Sequence, residues 1–326
     1  MIVTLTANPS LDRTIDLAGP LNRGQVQRAT AASQDPGGKG VNICRALATS
    51  SAATVAVLPG SDDDAVVGAL RQAGISFANL PISAPLRSNI TVTEPDGTTT
   101  KINEPGPVLS GLEQTDLIAL LLEQAEGADW LVLAGSLPPG VRHDFYARII
   151  EQARARFGAS CPSIAVDSSG PPLSAVMSAG AQLAPDLLKP NAEELAELTG
   201  IATEDKLEND PALAAAAART LLDQGCSTVL ATLGRQGAIL ASEAAWLHGT
   251  HPPIKARSTV GAGDSALAGY LLASIAGDGP QDRLRQAVAY GAAAASLPGS
   301  TLPSQHHTDP AAVVISPLAL NPSQGG

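Results

Sequence analysis

The chain has 326 residues, 44% of them hydrophobic, with 20 basic and 31 acidic side chains and a formal net charge of −11. That apolar content supports a sizeable core and excludes a disordered chain. The acidic balance excludes a general binder of nucleic acid or anionic membrane, so a phosphate ligand would have to meet cations gathered locally. Aromatic residues, at 2%, are too scarce for base-stacking platforms. No apolar run approaches the ~20 residues of a bilayer span, and Met1–Thr6 reads as a first strand rather than a signal peptide. Cys44, Cys161 and Cys226, widely spaced in apolar surroundings, read as reduced thiols of a cytoplasmic protein.

Along the chain, short apolar runs predict strands at Ile2–Thr6, Thr54–Leu58, Trp130–Ala134, Ser163–Val166 and Thr228–Leu233. Between them, helical patterns cover Val41–Thr49, Ala65–Ala73, Leu112–Glu126, Asp144–Phe157 and Ala212–Gln224. This alternation predicts an α/β fold with a mainly parallel central sheet flanked by helices, and ligands beyond the carboxyl ends of its strands. Residues 11–34 and 86–104 break the rhythm. They alternate polar and apolar, and Asn89–Thr93 and Thr98–Asn103 flank the turn Pro95-Asp96-Gly97. Both stretches are expected to form a small β-layer projecting from the main body, the alternative being a pair of ordinary surface hairpins. A second hairpin is expected from Ala238–Ser242 to Trp246–His248, and a helix from Gly279 to about Leu297. One domain over 1–315 is expected, followed by a flexible tail over 316–326.

The strongest chemical signal is Ser258-Thr259-Val260-Gly261-Ala262-Gly263-Asp264-Ser265, leading into a helix of small and apolar residues. Gly261, Ala262 and Gly263 let the backbone approach a ligand, and a helix start offers free N–H groups and a positive dipole end to an anion. Asp264 reads either as an N-cap or as a base that takes a proton from an attacking hydroxyl beside a phosphate. A dinucleotide fingerprint also fits these residues, but no apolar strand precedes it.

Pro36-Gly37-Gly38-Lys39-Gly40-Val41-Asn42 is either a tight turn before a helix or a cradle for a polyhydroxy ligand bearing a phosphate. In Lys189-Pro190-Asn191-Ala192-Glu193-Glu194, Asn191 and Glu194 read as a capping box or as organisers of the water shell of Mg²⁺. Thr232-Leu233-Gly234-Arg235-Gln236-Gly237 is a glycine turn between strands. Asp12 is a carboxylate just after the first strand, able to hold two sugar hydroxyls or simply to sit in a turn.

Together with Thr6-Ala7-Asn8-Pro9-Ser10-Leu11-Asp12, Ala134-Gly135-Ser136-Leu137-Pro138-Pro139-Gly140 and Val166-Asp167-Ser168-Ser169-Gly170, these segments resemble the PfkB family of ribokinase-like sugar kinases, in family order from about residue 2 to 315. The resemblance implies a ribokinase-like fold whose small β-layer is a clasp-shaped lid over the substrate, and a homodimer joined through it. It implies Asp264 as general base with Gly261, Ala262 and Gly263 as anion hole. Mg²⁺ would be placed by Asn191 and Glu194, through water. ATP would be held by Lys189, Asn191, Thr232, Gly234, Gly237, Thr259 and Val260.

The sugar would be held by Asp12, Gly38, Lys39 and Asn42, and its existing phosphate by Arg87, Ser136, Arg28 and Lys101. The acceptor implied is a phosphorylated ketohexose. Lys39 and the stretch Thr100–Pro107 resemble the branch acting on fructose 1-phosphate, whereas the 6-phosphofructokinase branch tends to carry Gly in place of Lys39. Val166–Gly170 resembles that second branch, and tagatose 6-phosphate is a further alternative acceptor. A non-catalytic sugar-phosphate sensor would be favoured only were Asp264 or Glu194 missing.

Overall fold

The structure is a computed structural model that describes residues 1–318. The strands are β1 (Ile2–Thr6), β2 (Ser10–Leu17), β3 (Ala29–Gly37), β4 (Thr54–Pro59), β5 (Phe77–Leu80), β6 (Arg87–Thr93), β7 (Thr99–Asn103), β8 (Trp130–Ala134), β9 (Ser163–Asp167), β10 (Leu187–Leu188), β11 (Thr228–Thr232), β12 (Ala238–Ser242), β13 (Trp246–Thr250) and β14 (Val314–Pro317). The helices are α1 (Lys39–Ala48), α2 (Ala65–Gln72), α3 (Gly111–Gln124), α4 (Phe145–Phe157), α5 (Gly170–Ser178), α6 (Ala192–Thr199), α7 (Glu204–Asn209), α8 (Pro211–Asp223), α9 (Ala262–Ile275) and α10 (Pro280–Ser296).

The main sheet runs β14-β13-β12-β11-β10-β9-β8-β1-β4-β5. From β11 to β5 every neighbouring pair is parallel, and β12, β13 and β14 add antiparallel strands at the other edge. Helices cover both faces, which is why the central strands read as unbroken apolar runs. Side chains alternate between two cores. Val3, Leu5, Leu131 and Leu133 join the helices α3, α4 and α8 on one face, while Ile2, Trp130 and Val132 pack with α1, α9 and α10 on the other. Local chemistry fixes several helix starts: Asp64 accepts from the Val66 N–H, Ser110 and Glu113 form a capping box, and Asp210 accepts from Ala212 and Leu213.

The second sheet, β3-β2-β6-β7, is built from the two stretches with alternating pattern, and forms the clasp. β2 pairs antiparallel with β3 and parallel with β6, so Ser10, Gly37 and Arg87 lie side by side at the end nearest the main sheet. The short β10 and the edge strand β14 carry too little pattern to be read in advance. Ser316 and Pro317, within the stretch expected as a tail, pair with His248 and Leu247. The remainder of that expected tail, 319–326, lies outside the described residues.

Candidate active site

The carboxyl ends of β1, β8, β9, β10 and β11 converge with the first turns of α1 and α9. Gly40 permits the approach of α1, since a Cβ there would lie 2.5 Å from the Leu5 carbonyl oxygen of β1. Thr4 Oγ1 donates to the Gly40 carbonyl at 2.9 Å and pins the same turn. This places Lys39 and Asn42, both in the first turn of α1, over the strand ends.

α9 starts at Gly261, whose φ of +74° is the left-handed conformation that glycine tolerates. Gly261 is the cap, so Asp264 lies inside the first turn and its side chain caps nothing. It is buried and accepts a 2.9 Å hydrogen bond from Asn42 Nδ2. The N-cap alternative for Asp264 is therefore excluded, because its carboxylate turns across to α1. Burial, reinforced by the nearby Asp167 carboxylate, pushes Asp264 up to about 6, against the pull of Lys39, Asn42 and Lys189.

Asp167, at the carboxyl end of β9, is fully buried and receives two lysines. Lys39 Nζ is 2.7 Å from its Oδ1 and Lys189 Nζ 3.1 Å from its Oδ2. Burial acts to raise this carboxyl, but Lys189 and Lys39 outweigh it and hold it below the usual carboxylate range. Burial likewise opposes the charge of Lys39, and Asp167 and Glu194 more than reverse it, raising its ammonium above the usual lysine range. Lys189 also lies against α9, where a Cβ on Gly263 would stand 3.3 Å from its Nζ. Two ammonium groups thus flank the helix end that carries Gly261, Ala262 and Gly263, which suits an anion that gains charge there.

Asn191 and Glu194 form the capping box of α6: the Asn191 N–H donates to Glu194 Oε2 at 2.8 Å, and the Glu194 N–H to Asn191 Oδ1 at 2.7 Å. Glu194 Oε1 is left to Lys39, 3.4 Å away. A divalent ion fits here only in part through protein oxygens. Asp167 Oδ2 is already held by the Lys189 ammonium at 3.1 Å and Glu194 Oε1 has one long contact, while no cluster of three His, Cys, Asp or Glu able to hold a metal occurs among the described residues. Such a donor set matches an ion that keeps its waters and leans on nucleotide phosphates.

Beside this centre lies a cleft of about 1000 Å³ lined by Asn191, Thr232, Gly234, Gly237, Thr259, Ala262 and Gly263, with Ala292 and Ala295 opposite. Gly237 (φ +84°) turns β11 into β12 so tightly that a Cβ would stand 2.0 Å from the Gly249 carbonyl oxygen. Val260 donates its N–H to Ser258 Oγ and shapes the loop before α9. Sequence reasoning missed Glu204, Glu208, Arg235 and His251, which also line the cleft.

On the clasp side, Asp12 lies in β2 rather than in a turn. Ser10 Oγ and Asn89 Nδ2 donate to its Oδ1 at 2.7 and 3.0 Å. Arg87 donates to the Asn8 and Glu104 carbonyls, and its buried Nε makes no hydrogen bond among the described residues. Ser136, exposed in the loop after β8, is 3.5 Å from Asn8 Nδ2. Gly38 caps α1 through its carbonyl, which accepts from the Asn42 N–H.

Arg28 and Lys101 are not brought to this end within one chain. Arg28 precedes the Ala29–Leu17 pair, seven residues along the clasp from Ser10, or about 23 Å. Lys101, opposite Thr91 on the outer strand, is four residues along, about 13 Å. Asp167 and Asn8 are central to the site yet were read only as parts of motifs. The signal available for Asp167 was a carboxylate closing an apolar strand, at the strand end where ligands bind in such sheets.

The profile of the pfkB family carbohydrate kinases matches residues 5–307. The chain is 35% identical over 307 residues to the ATP-dependent 6-phosphofructokinase isozyme 2 of Mycobacterium tuberculosis, covering 92% of this chain and 85% of that protein. It is 31% identical over 326 residues to the 1-phosphofructokinase of Rhodobacter capsulatus, covering 98% of each. The crystal structure of phosphofructokinase-2 from Escherichia coli in complex with substrates and products is similar at a TM-score of 0.83 and 30% identity, covering 94% of this chain and 96% of that one.

Proposed function

The chain belongs to the pfkB family of carbohydrate kinases, which makes it a phosphotransferase, and from that premise we propose that it transfers the γ-phosphoryl group of ATP to the 6-hydroxyl of fructose 1-phosphate, giving fructose 1,6-bisphosphate and ADP. The observation that carries this reading is Asp264: a buried carboxylate at the start of α9, tied to Asn42 on the sugar-side helix and flanked by the lysines that meet on Asp167.

In this reading the sugar lies between the clasp and α1, with Asp12, Gly38 and Asn42 on its hydroxyls and Arg87 and Ser136 on its phosphate. ATP occupies the cleft beside Thr232, Gly234 and Gly237. Asp264 removes the proton of the attacking 6-hydroxyl as the bond to phosphorus forms. The N–H groups of Gly261, Ala262 and Gly263 and the Lys189 ammonium take up the charge spread over the migrating group. When bound, Mg²⁺ neutralises phosphate charge, and Asn191 and Glu194 would hold it through water. Clasp closure would exclude water that competes with the sugar hydroxyl.

A second reading, phosphorylation of fructose 6-phosphate, is favoured by the 35% identity to a 6-phosphofructokinase. Lys39 weighs toward fructose 1-phosphate. A coupled ADP assay across fructose 1-phosphate, fructose 6-phosphate, tagatose 6-phosphate and ribose separates these readings by kcat/KM. ADP release with none of them would overturn all. Two copies are expected to join through their clasps, whose Val26 and Ile102 are exposed apolar side chains. Light scattering on the purified chain checks the dimer. The reaction would run in the cytoplasm; among the described residues no helix is long and apolar enough to cross a membrane.

A further inference from the structure

Lys39 joins the sugar-side loop to a residue on the nucleotide side. Its ammonium lies 2.7 Å from Asp167 Oδ1 and 3.4 Å from Glu194 Oε1. Glu194 is only 4% exposed and its Oε2 is committed to the Asn191 N–H. Oε1 is thus the oxygen free of the helix cap, and Lys39 is its donor among the described residues. A desolvated carboxylate oxygen needs a cation or a donor. Two cations crowded on one such oxygen repel each other strongly where solvent screening is weak.

We propose that Lys39 and the divalent metal ion with its water shell are alternative partners of Glu194 Oε1, so that binding of the hydrated ion at this carboxylate displaces the Lys39 ammonium while its shorter contact with Asp167 persists. The exchange is feasible because Asp167 keeps both lysines throughout, and because the longer of the two Lys39 contacts is the one given up. Lys39 is then a positioning residue: it holds Glu194 in place and sets how readily the ion enters. Loading of the nucleotide side is thereby linked to the loop that holds the sugar. This rests on the kinase reading above, which is what brings a metal–nucleotide complex to Glu194.

The test uses the full chain without nucleotide and Mn²⁺ as the probe, with bound ion read from the loss of the free-ion paramagnetic resonance signal. Lys39→Met is expected to bind Mn²⁺ about tenfold more tightly than the unmodified chain, since a cation competing at one oxygen has gone. Lys39→Arg should bind it like the unmodified chain. In a Glu194→Gln background the Lys39→Met gain should vanish. Unchanged, weaker or undetectable Mn²⁺ binding in Lys39→Met overturns the proposal, and so does a gain that survives in Glu194→Gln, which would mark general charge repulsion. Lys39→Gln carries the same expectation should the methionine variant fail to fold. The kinase reading fails separately, by absence of ADP release with every sugar phosphate, whatever the Mn²⁺ result.

Discussion

Asn42 Nδ2 donates to Asp264 Oδ2 at 2.9 Å, joining the first turns of two helices that lie 222 residues apart in sequence. The bond ties the carboxylate to the first turn of α1, and it favours the ionised form. Asp264→Asn keeps the size of the side chain and an oxygen for Asn42, but loses the proton acceptor. General-base catalysis contributes about 10²–10⁴-fold, so kcat should fall by at least about 100-fold. Stability should not fall. The raised Asp264 carboxyl destabilises the fold increasingly as pH rises from its ordinary 3.8 to about 6, and the neutral variant escapes that cost. Steady-state kinetics beside a melting curve at pH 8 checks both; a wild-type kcat would remove Asp264 from the chemistry.

The same carboxyl sets the acid limb of activity. A base must be ionised to accept a proton, and Asp264 ionises at about 6. The kcat/KM for the sugar should be flat above that pH and drop about tenfold per unit below it. Asn42→Leu removes a donor that lowers the carboxyl, so its acid limb should move to higher pH. A profile in which the limb stays in place or moves to lower pH would show that Asn42 does not tune this base.

What could be read in advance was local. The central strands and most helices announced themselves by apolar periodicity, and Gly261-Ala262-Gly263-Asp264 carries its chemistry in consecutive residues at a helix start. Asp264 as cap or as base could not be settled from spacing, because the deciding partner, Asn42, is remote. Asp167 escaped for the same reason: Lys39 and Lys189 reach it from separate loops, and nothing in Val166-Asp167-Ser168 records them. The two-residue β10 and the edge strand β14 are assigned by pairing rather than by composition. Arg28 and Lys101 were grouped with the site by resemblance, and the clasp register sets them away from it within one chain.

Gly237→Ala should strike the nucleotide side alone. Its Cβ would stand 2.0 Å from the Gly249 carbonyl oxygen, and its φ of +84° strains any other residue. The backbone must shift where β11 turns into β12, beside Thr232 and Gly234 in the cleft. The KM for ATP should rise about tenfold or more, as expected when a positioned contact worth about 1.4 kcal/mol is lost, while the KM for the sugar stays within about twofold. An equal rise in both would place this turn outside the nucleotide site.

Asp167→Asn should weaken the fold as well as activity. The carboxylate is fully buried and compensates two ammonium groups, and removing one partner of a buried ion pair typically costs about 3–5 kcal/mol. The sign of its pH dependence follows from a folded carboxyl held below its ordinary 3.8. Its stabilisation is complete above that value and fades as pH falls through the folded one. Urea unfolding should therefore show a large deficit for the variant at pH 7 that narrows in strong acid. A deficit of less than about 1 kcal/mol at pH 7 would mean that the lysines are satisfied elsewhere.

Arg87 tests the sugar-phosphate end. Two of its nitrogens hold the Asn8 and Glu104 carbonyls, which fixes the guanidinium at the end of the clasp nearest the main sheet, and its buried Nε has no hydrogen bond among the described residues. Burial lowers its pKa, so an anion brought to it would be favoured by both charge and desolvation. A hydrogen bond to a charged group contributes about 1.5–3 kcal/mol, and Arg87→Ala should raise the KM for the phosphorylated sugar about 10- to 100-fold with a smaller change in kcat. Arg87→Lys keeps the charge but not the planar fork, and should recover only part of the loss. If the alanine variant leaves that KM unchanged and lowers kcat instead, Arg87 holds the clasp in place rather than the phosphate.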